Sequence, residues 1–179
     1  QGSLAPDQVL ADLMAGNGRY VKGKTTDANI QARIAEAVKG QYPQAVILSC
    51  LDSRVPVELI FDQGIGDVFV GRVAGNVENG DQLGSMEFAT MVAGSKLVMV
   101  LGHESCGAVT AALGGGDNGY NLNHLVSHIV PAVEASDSDD VNAVVKKNAE
   151  LTAKDLLDRS EIIRNGVNNG GVKVVPAYY

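Results

Sequence analysis

The chain has 179 residues, of which 45% are hydrophobic and 20% are charged. That length and composition are ordinary for one globular domain with its own core. The 14 basic and 21 acidic residues give a formal net charge of −7. No cluster of lysine and arginine offsets it, so we expect no nucleic-acid partner. No apolar run is long enough to span a bilayer, so we expect no membrane partner either.

The first residues, Gln1-Gly2-Ser3, resemble the scar that a protease site leaves when an expression tag is removed. We therefore interpret residues 4–179 as a single domain. No signal peptide is visible, which favours a cytoplasmic protein. A periplasmic protein is the alternative if a signal peptide was removed together with the natural N-terminus.

Four apolar runs predict buried strands. They are rich in Val, Ile and Leu without clean alternation, which is typical of parallel strands covered by helices on both faces. The runs cover residues 45–49, 67–71, 96–101 and 172–177.

Helical patterns separate these strands. The first predicted helix runs from Pro6 and stops at Ala15 because Gly16 follows. Alternating strands and helices predict an α/β fold with a central, mainly parallel four-stranded sheet flanked by helices. The pattern leaves room for an antiparallel edge strand beyond Tyr179. Further helices are predicted over 27–39, from Asp81 onwards, from a Ser105 cap to Gly114, over 122–133, over 139–158, and after a Ser160 cap.

Two motifs stand at the ends of predicted strands. Cys50-Leu51-Asp52-Ser53-Arg54 follows the first strand, and His103-Glu104-Ser105-Cys106 follows the third. Open α/β sheets bind ligands beyond the carboxyl ends of their strands. Thiolate and imidazole are ligands that zinc prefers, and three protein ligands rather than four are typical of a catalytic site. A disulfide between the two cysteines is the alternative in a secreted protein.

Asp52 and Arg54 lie beside the first of these candidate ligands. An arginine fork can pair with a carboxylate and orient it. Asp52 could then accept a hydrogen bond from metal-bound water, or it could bind the metal itself as a fourth ligand and close the site. A surface ion pair near a helix N-terminus is the alternative interpretation.

The segments CLDSR and GHESCGA, with IFDQGIGDVFVGRVAGN and GSMEFA between them, resemble the signatures of β-class carbonic anhydrases of the bacterial type. The resemblance runs from about Leu10 to Tyr179. It implies Zn²⁺ bound by Cys50, His103 and Cys106, and a catalytic pair formed by Asp52 and Arg54.

The same resemblance implies a substrate pocket shared across a dimer interface. The residues matching that pocket are Gln41, Phe69, Phe88 and Gly107. The N-terminal helices are expected to pack on a partner subunit in a homodimer or homotetramer. Another branch of the family has an inhibitory bicarbonate site. Arg72 matches its arginine, but Ile47 stands where that site has tryptophan, so we do not expect the site here.

The function that the resemblance implies is reversible hydration of CO₂ to bicarbonate and a proton by a zinc-bound hydroxide. One alternative is a hydrolase of carbonyl sulfide or carbon disulfide on the same scaffold. The other is a non-catalytic protein in which zinc is structural.

Overall fold

The computed structural model describes residues 4–26 and 29–179, and its centre is a four-stranded sheet. The spatial order is β2-β1-β3-β4, and every neighbouring pair is parallel. This confirms the predicted fold class, and each strand begins and ends within one residue of its predicted bounds. The strands are β1 Ala45–Ser49, β2 Val68–Arg72, β3 Leu97–Gly102 and β4 Lys173–Tyr178.

The two central strands, β1 and β3, are buried along their whole length. Ile47 and Met99 belong to the hydrophobic cluster on one face of the sheet, and Leu48 and Val100 belong to the cluster on the other. Because both faces are covered, the strand sequences are continuously apolar, as parallel strands between two helical layers should be.

Nine helices surround the sheet within the described residues. Their bounds are α1 Pro6–Val21, α2 Ile30–Ala37, α3 Val57–Ile60, α4 Gly80–Glu87, α5 Gly107–Gly114, α6 Tyr120–Ser127, α7 Val130–Glu134, α8 Val141–Arg159 and α9 Glu161–Asn168. A 3₁₀ turn at Ala74–Asn76 and a π-helical turn at Phe88–Val92 complete the layers. No helix of the described chain combines the length and apolar character needed to cross a bilayer.

Several predicted helix ends are tested by the structure. Ser160 caps α9 as predicted, because its Oγ accepts a hydrogen bond from the Ile163 amide at 3.1 Å. The predicted start of the second helix, Asp27, lies outside the described residues. Asn29 caps that helix, its side chain accepting from the Ala32 amide at 3.0 Å.

The predicted end of α1 at Ala15 is wrong, since the helix continues to Val21. Gly16 does not stop the helix but lies buried where α1 meets the end of α3. A Cβ atom at Gly16 would stand 1.9 Å from the carbonyl oxygen of Phe61. The glycine is therefore required by the close approach of another segment rather than by a turn.

This contact predicts opposite effects at two glycines of α1. Gly16→Ala should lower the free energy of unfolding by about 1–3 kcal/mol, because the added methyl group meets backbone that cannot move aside cheaply. Gly18→Ala should raise it by about 0.5–1 kcal/mol, because no atom lies within 4 Å of the new Cβ and alanine favours the helix. Urea unfolding followed by circular dichroism measures both. Equal effects of the two substitutions would contradict the packing described for Gly16.

Candidate metal centre

Two cysteines and one histidine converge at the carboxyl edge of the sheet. The ligand atoms of Cys50, His103 and Cys106 all lie within 4.8 Å of one another, and the two sulfurs are 3.9 Å apart. All three residues are buried, with at most 4% of their surface exposed. Within the described part of the chain, this is the only group of at least three Cys, His, Asp or Glu residues that converges in this way.

Cys50 is held by the loop that follows β2. The amide of Gly75 donates a hydrogen bond to Cys50 Sγ at 3.3 Å. Gly75 has a φ of 70°, and a Cβ there would stand 2.6 Å from Ile129 Cδ1. Both the left-handed backbone and the lack of space favour glycine. We did not predict a role for Gly75 from the sequence, although it lies in a segment that carries the family resemblance.

His103 is oriented by a hydrogen bond on the far side of its ring. Its Nδ1 lies 2.9 Å from the carbonyl oxygen of Glu104. A carbonyl can only accept, so Nδ1 carries the proton and Nε2 keeps its lone pair. Nε2 is buried and makes no hydrogen bond within the described structure. That lone pair faces the two sulfurs, as a metal ligand should.

Cys106 occupies the N-cap of α5 rather than its first turn. Ser105, which we expected to cap this helix, does not do so. Its φ of 55° places it in the left-handed region, and its amide donates to Asn142 Oδ1 at 2.9 Å. This turn brings Cys106 Sγ into the cluster. Nothing in the sequence signals the Asn142 contact, which joins residues 37 positions apart.

The two thiols differ in acidity because their sulfurs share a proton. The hydrogen bond between them lowers the pKa of Cys50 and raises that of Cys106. The Cys50 sulfur in turn raises the pKa of His103. Negative charge therefore lies on the Cys50 sulfur, where a cation would neutralise it.

The donor set fits a zinc ion. Thiolate sulfur and neutral imidazole are the donors that Zn²⁺ prefers, and the buried Nε2 lone pair lies among them. Three protein donors would leave one coordination position for a water molecule or a substrate.

Asp52 lies at the edge of this cluster and is bound by Arg54. Arg54 Nε donates to Asp52 Oδ1 at 2.9 Å, and Nη2 donates to Oδ2 at 2.7 Å. These bonds hold the pKa of Asp52 well below its usual range, so the carboxylate is ionised at neutral pH. Asp52 Oδ2 is 3.9 Å from His103 Nε2. A negatively charged acceptor thus stands beside the candidate ligands.

The remaining residues of the expected site do not all meet at this point. Gly107 begins α5 directly after Cys106. Gln41 precedes β1, so within one protomer it lies at the opposite edge of the sheet from Cys50. Phe69 in β2 and the half-exposed Phe88 form an edge-to-face pair with ring centres 6.4 Å apart. That pair lines a cleft of about 720 Å³ beside the edge strand β2.

Comparison with known proteins gives consistent matches. The family model described as carbonic anhydrase matches residues 45–179. Carbonic anhydrase 2 of Mycobacterium tuberculosis is 38% identical, with 93% of this chain and 84% of that protein covered. The carbonic anhydrase of Mycolicibacterium smegmatis is also 38% identical, with 93% and 85% covered.

Two solved structures have the same fold. A β-carbonic anhydrase of Aspergillus fumigatus superposes with a TM-score of 0.75 and 26% identity, covering 95% of this chain and 85% of that one. A tetrameric β-carbonic anhydrase of Sordaria macrospora gives a TM-score of 0.76 and 21% identity, covering 96% and 92%. With these matches over nearly its whole length, the chain belongs to the β class of the carbonic anhydrase family.

Proposed function

We propose that this protein catalyses the zinc-dependent, reversible hydration of CO₂ to bicarbonate and a proton. The observation that carries the proposal is the convergence of Cys50, His103 and Cys106 beside an ionised Asp52. The relatives named carbonic anhydrase support the same reaction.

Cys50, His103 and Cys106 would hold the zinc ion. A bound zinc ion lowers the pKa of a water molecule from about 15.7 towards about 7, which makes a nucleophile available near neutral pH. The burial of the three ligands also limits the access of bulk water to the site.

Asp52 would orient the attacking water by accepting its hydrogen bond, which leaves a lone pair directed at the carbon of CO₂. Arg54 holds both carboxylate oxygens, so the acceptor cannot rotate away. The amide of Gly107 is among the first in α5 and has no partner inside the helix. It could donate to an oxygen of CO₂ or bicarbonate.

Gln41, Phe69 and Phe88 would reach this site only from a second copy of the chain. β2 is an edge strand, and the apolar residues beside it are exposed, with Phe88 at 51% and Met91 at 70%. We propose that a second protomer covers this edge and completes an apolar pocket for CO₂. A dimer is the smallest assembly that does so, and a tetramer is the alternative.

The first test is stopped-flow CO₂ hydration by the zinc-loaded protein at about pH 7 and about pH 8.5. We expect activity at both, because Arg54 keeps Asp52 ionised and paired throughout this range. Activity only at the higher pH would indicate that Asp52 binds the metal as a fourth ligand near neutrality. Inactivity at both, with zinc bound, would overturn the proposal, and turnover of carbonyl sulfide would then identify the alternative hydrolase.

Removal of one sulfur should remove the metal. Cys50→Ala is expected to abolish stoichiometric zinc binding, because the two remaining ligands cannot hold the ion in a stable site. The matched control is Ser49→Ala, which removes a neighbouring hydroxyl that is buried and makes no hydrogen bond in the described structure. Zinc content after dialysis, measured by mass spectrometry, should fall only in the cysteine variant. Full zinc retention by Cys50→Ala would refute the ligand assignment.

The outward face of α2 should be needed for assembly. Ile30, Ile34 and Val38 form an apolar stripe that is 45–83% exposed, and no residue of α2 is buried. Ile34→Asp combined with Val38→Asp should therefore dissociate the oligomer, because burying two carboxylates is unfavourable. Ala32→Asp places one carboxylate on the opposite face and should leave the mass unchanged. Analytical ultracentrifugation measures the mass of the unmodified protein, the double variant and the Ala32→Asp control. The same mass for all three would exclude the apolar stripe of α2 from the interface.

A further inference from the structure

Arg72 is the last residue of the edge strand β2, and its backbone pairs with Ser49 at the end of β1. The backbone ladder between the two strands ends with the Val73 amide, which donates to the Ser49 carbonyl at 3.1 Å. Beyond Ser49 the chain enters the segment Cys50–Asp52, and no strand pairs with it.

The side chain of Arg72 takes over where the backbone ladder stops. Its Nε donates to the carbonyl of Cys50 at 3.0 Å. Its Nη2 donates to the carbonyl of Leu51 at 3.2 Å and to that of Asp52 at 2.5 Å. One guanidinium thus binds three successive carbonyls. Hydrogen bonds from a charged donor are roughly twice as strong as neutral ones, and the planar fork fixes their direction.

Arg72 has no competing partner among the ion pairs of the described residues. Two other hydrogen bonds restrain the segment that it binds: the Gly75 amide donates to Cys50 Sγ at 3.3 Å, and the Val55 amide donates to the Asp52 carbonyl at 3.0 Å. Neither of them binds the carbonyls of Cys50 and Leu51. Leu51 is 65% exposed, so its side chain does not anchor the loop in the core. Arg54 holds the Asp52 carboxylate and also donates to the carbonyl of Ser105 at 3.4 Å. It therefore joins the loop to the second ligand motif and not to the edge strand β2.

We propose that Arg72 is a positioning residue, whose guanidinium fixes the backbone of Cys50–Asp52 so that the Cys50 sulfur and the Asp52 carboxylate face the same metal ion. The inference rests on the proposed function, since it presumes zinc on Cys50 and a role for Asp52. Two groups that must act together are only two residues apart, and one side chain from the neighbouring strand binds the backbone of both.

This use of Arg72 differs from the role suggested by its match to an inhibitory anion site. Three of its N–H donors are directed at backbone carbonyls of the metal loop. Ile47 also replaces the tryptophan of that site, and it is fully buried in the sheet.

The test compares Arg72→Ala and Arg72→Lys with a control arginine, each as the zinc-loaded protein. Arg164→Ala is the matched control, because Arg164 also donates to two backbone carbonyls, of Leu157 and Asp158, but lies on α9 away from the site. Three experiments are made: the rate of zinc loss to a chelator, the steady-state kinetics of CO₂ hydration (kcat and KM), and thermal unfolding (Tm). The first two are repeated with dilute guanidinium ion added.

We expect Arg72→Ala to lose zinc roughly 10–100-fold faster and to lose kcat by a similar factor, as is typical for residues that orient metal ligands. KM should change less than kcat, because the substrate pocket is intact. Arg72→Lys should recover part of both losses, and free guanidinium should recover part of them in Arg72→Ala. Arg164→Ala should match the unmodified protein.

Two results would overturn the inference. One is an Arg72→Ala protein whose zinc loss and kcat are unchanged. The other is a loss that follows a fall in Tm and is recovered neither by lysine nor by guanidinium, which would make Arg72 merely structural. If the unmodified protein does not hydrate CO₂, the proposed function fails, while faster zinc loss in Arg72→Ala would still support the positioning role.

Discussion

The parallel register of β1 and β3 is the constraint on which the site depends. It pairs Ser49 with Leu101, so the chain leaves both strands at the same edge of the sheet. Cys50 directly follows β1, and His103 directly follows Gly102, the last residue of β3. Because both strands are buried on both faces, a slip of one residue would turn every side chain to the other face and separate these ligands. The hydrophobic core therefore fixes the distance between Cys50 and His103, which are far apart in the sequence.

The cluster is stable only because its polar atoms are directed at one another and at a few backbone groups. A buried polar atom without a partner costs about 1–3 kcal/mol. Nδ1 of His103 hydrogen-bonds to the neighbouring Glu104 carbonyl, and Nε2 faces the sulfurs. The Gly75 amide donates to Cys50 Sγ, and Cys106 Sγ lies 3.9 Å from it. The remaining cost is concentrated where a cation would relieve it. Such a departure from full hydrogen bonding is expected at functional sites rather than in the rest of the core.

The sheet and the ligand motifs could be predicted from sequence because their signals are local. Each strand is a continuous apolar run, and both metal motifs follow such runs directly. Gly16 and Ser105 were misjudged because a glycine and a serine near a helix end are usually a stop and a cap. Here Gly16 makes room for the Phe61 carbonyl, and Ser105 adopts a left-handed φ in which its amide donates to Asn142. Both contact partners, Phe61 and Asn142, lie in segments distant along the chain, so no local pattern could reveal these contacts.

The two arginines near the cluster show why residue type alone does not reveal a role. Arg54 binds the side-chain oxygens of Asp52, and its proximity in sequence made that pairing predictable. Arg72 binds backbone carbonyls, which every residue possesses, so its contacts leave no trace in the sequence of the loop. The first arginine sets the charge and direction of the carboxylate. The second ties the backbone that carries this carboxylate to the edge strand. The direction of the Asp52 carboxylate depends on both restraints, because a side chain is fixed in space only when its backbone is fixed as well.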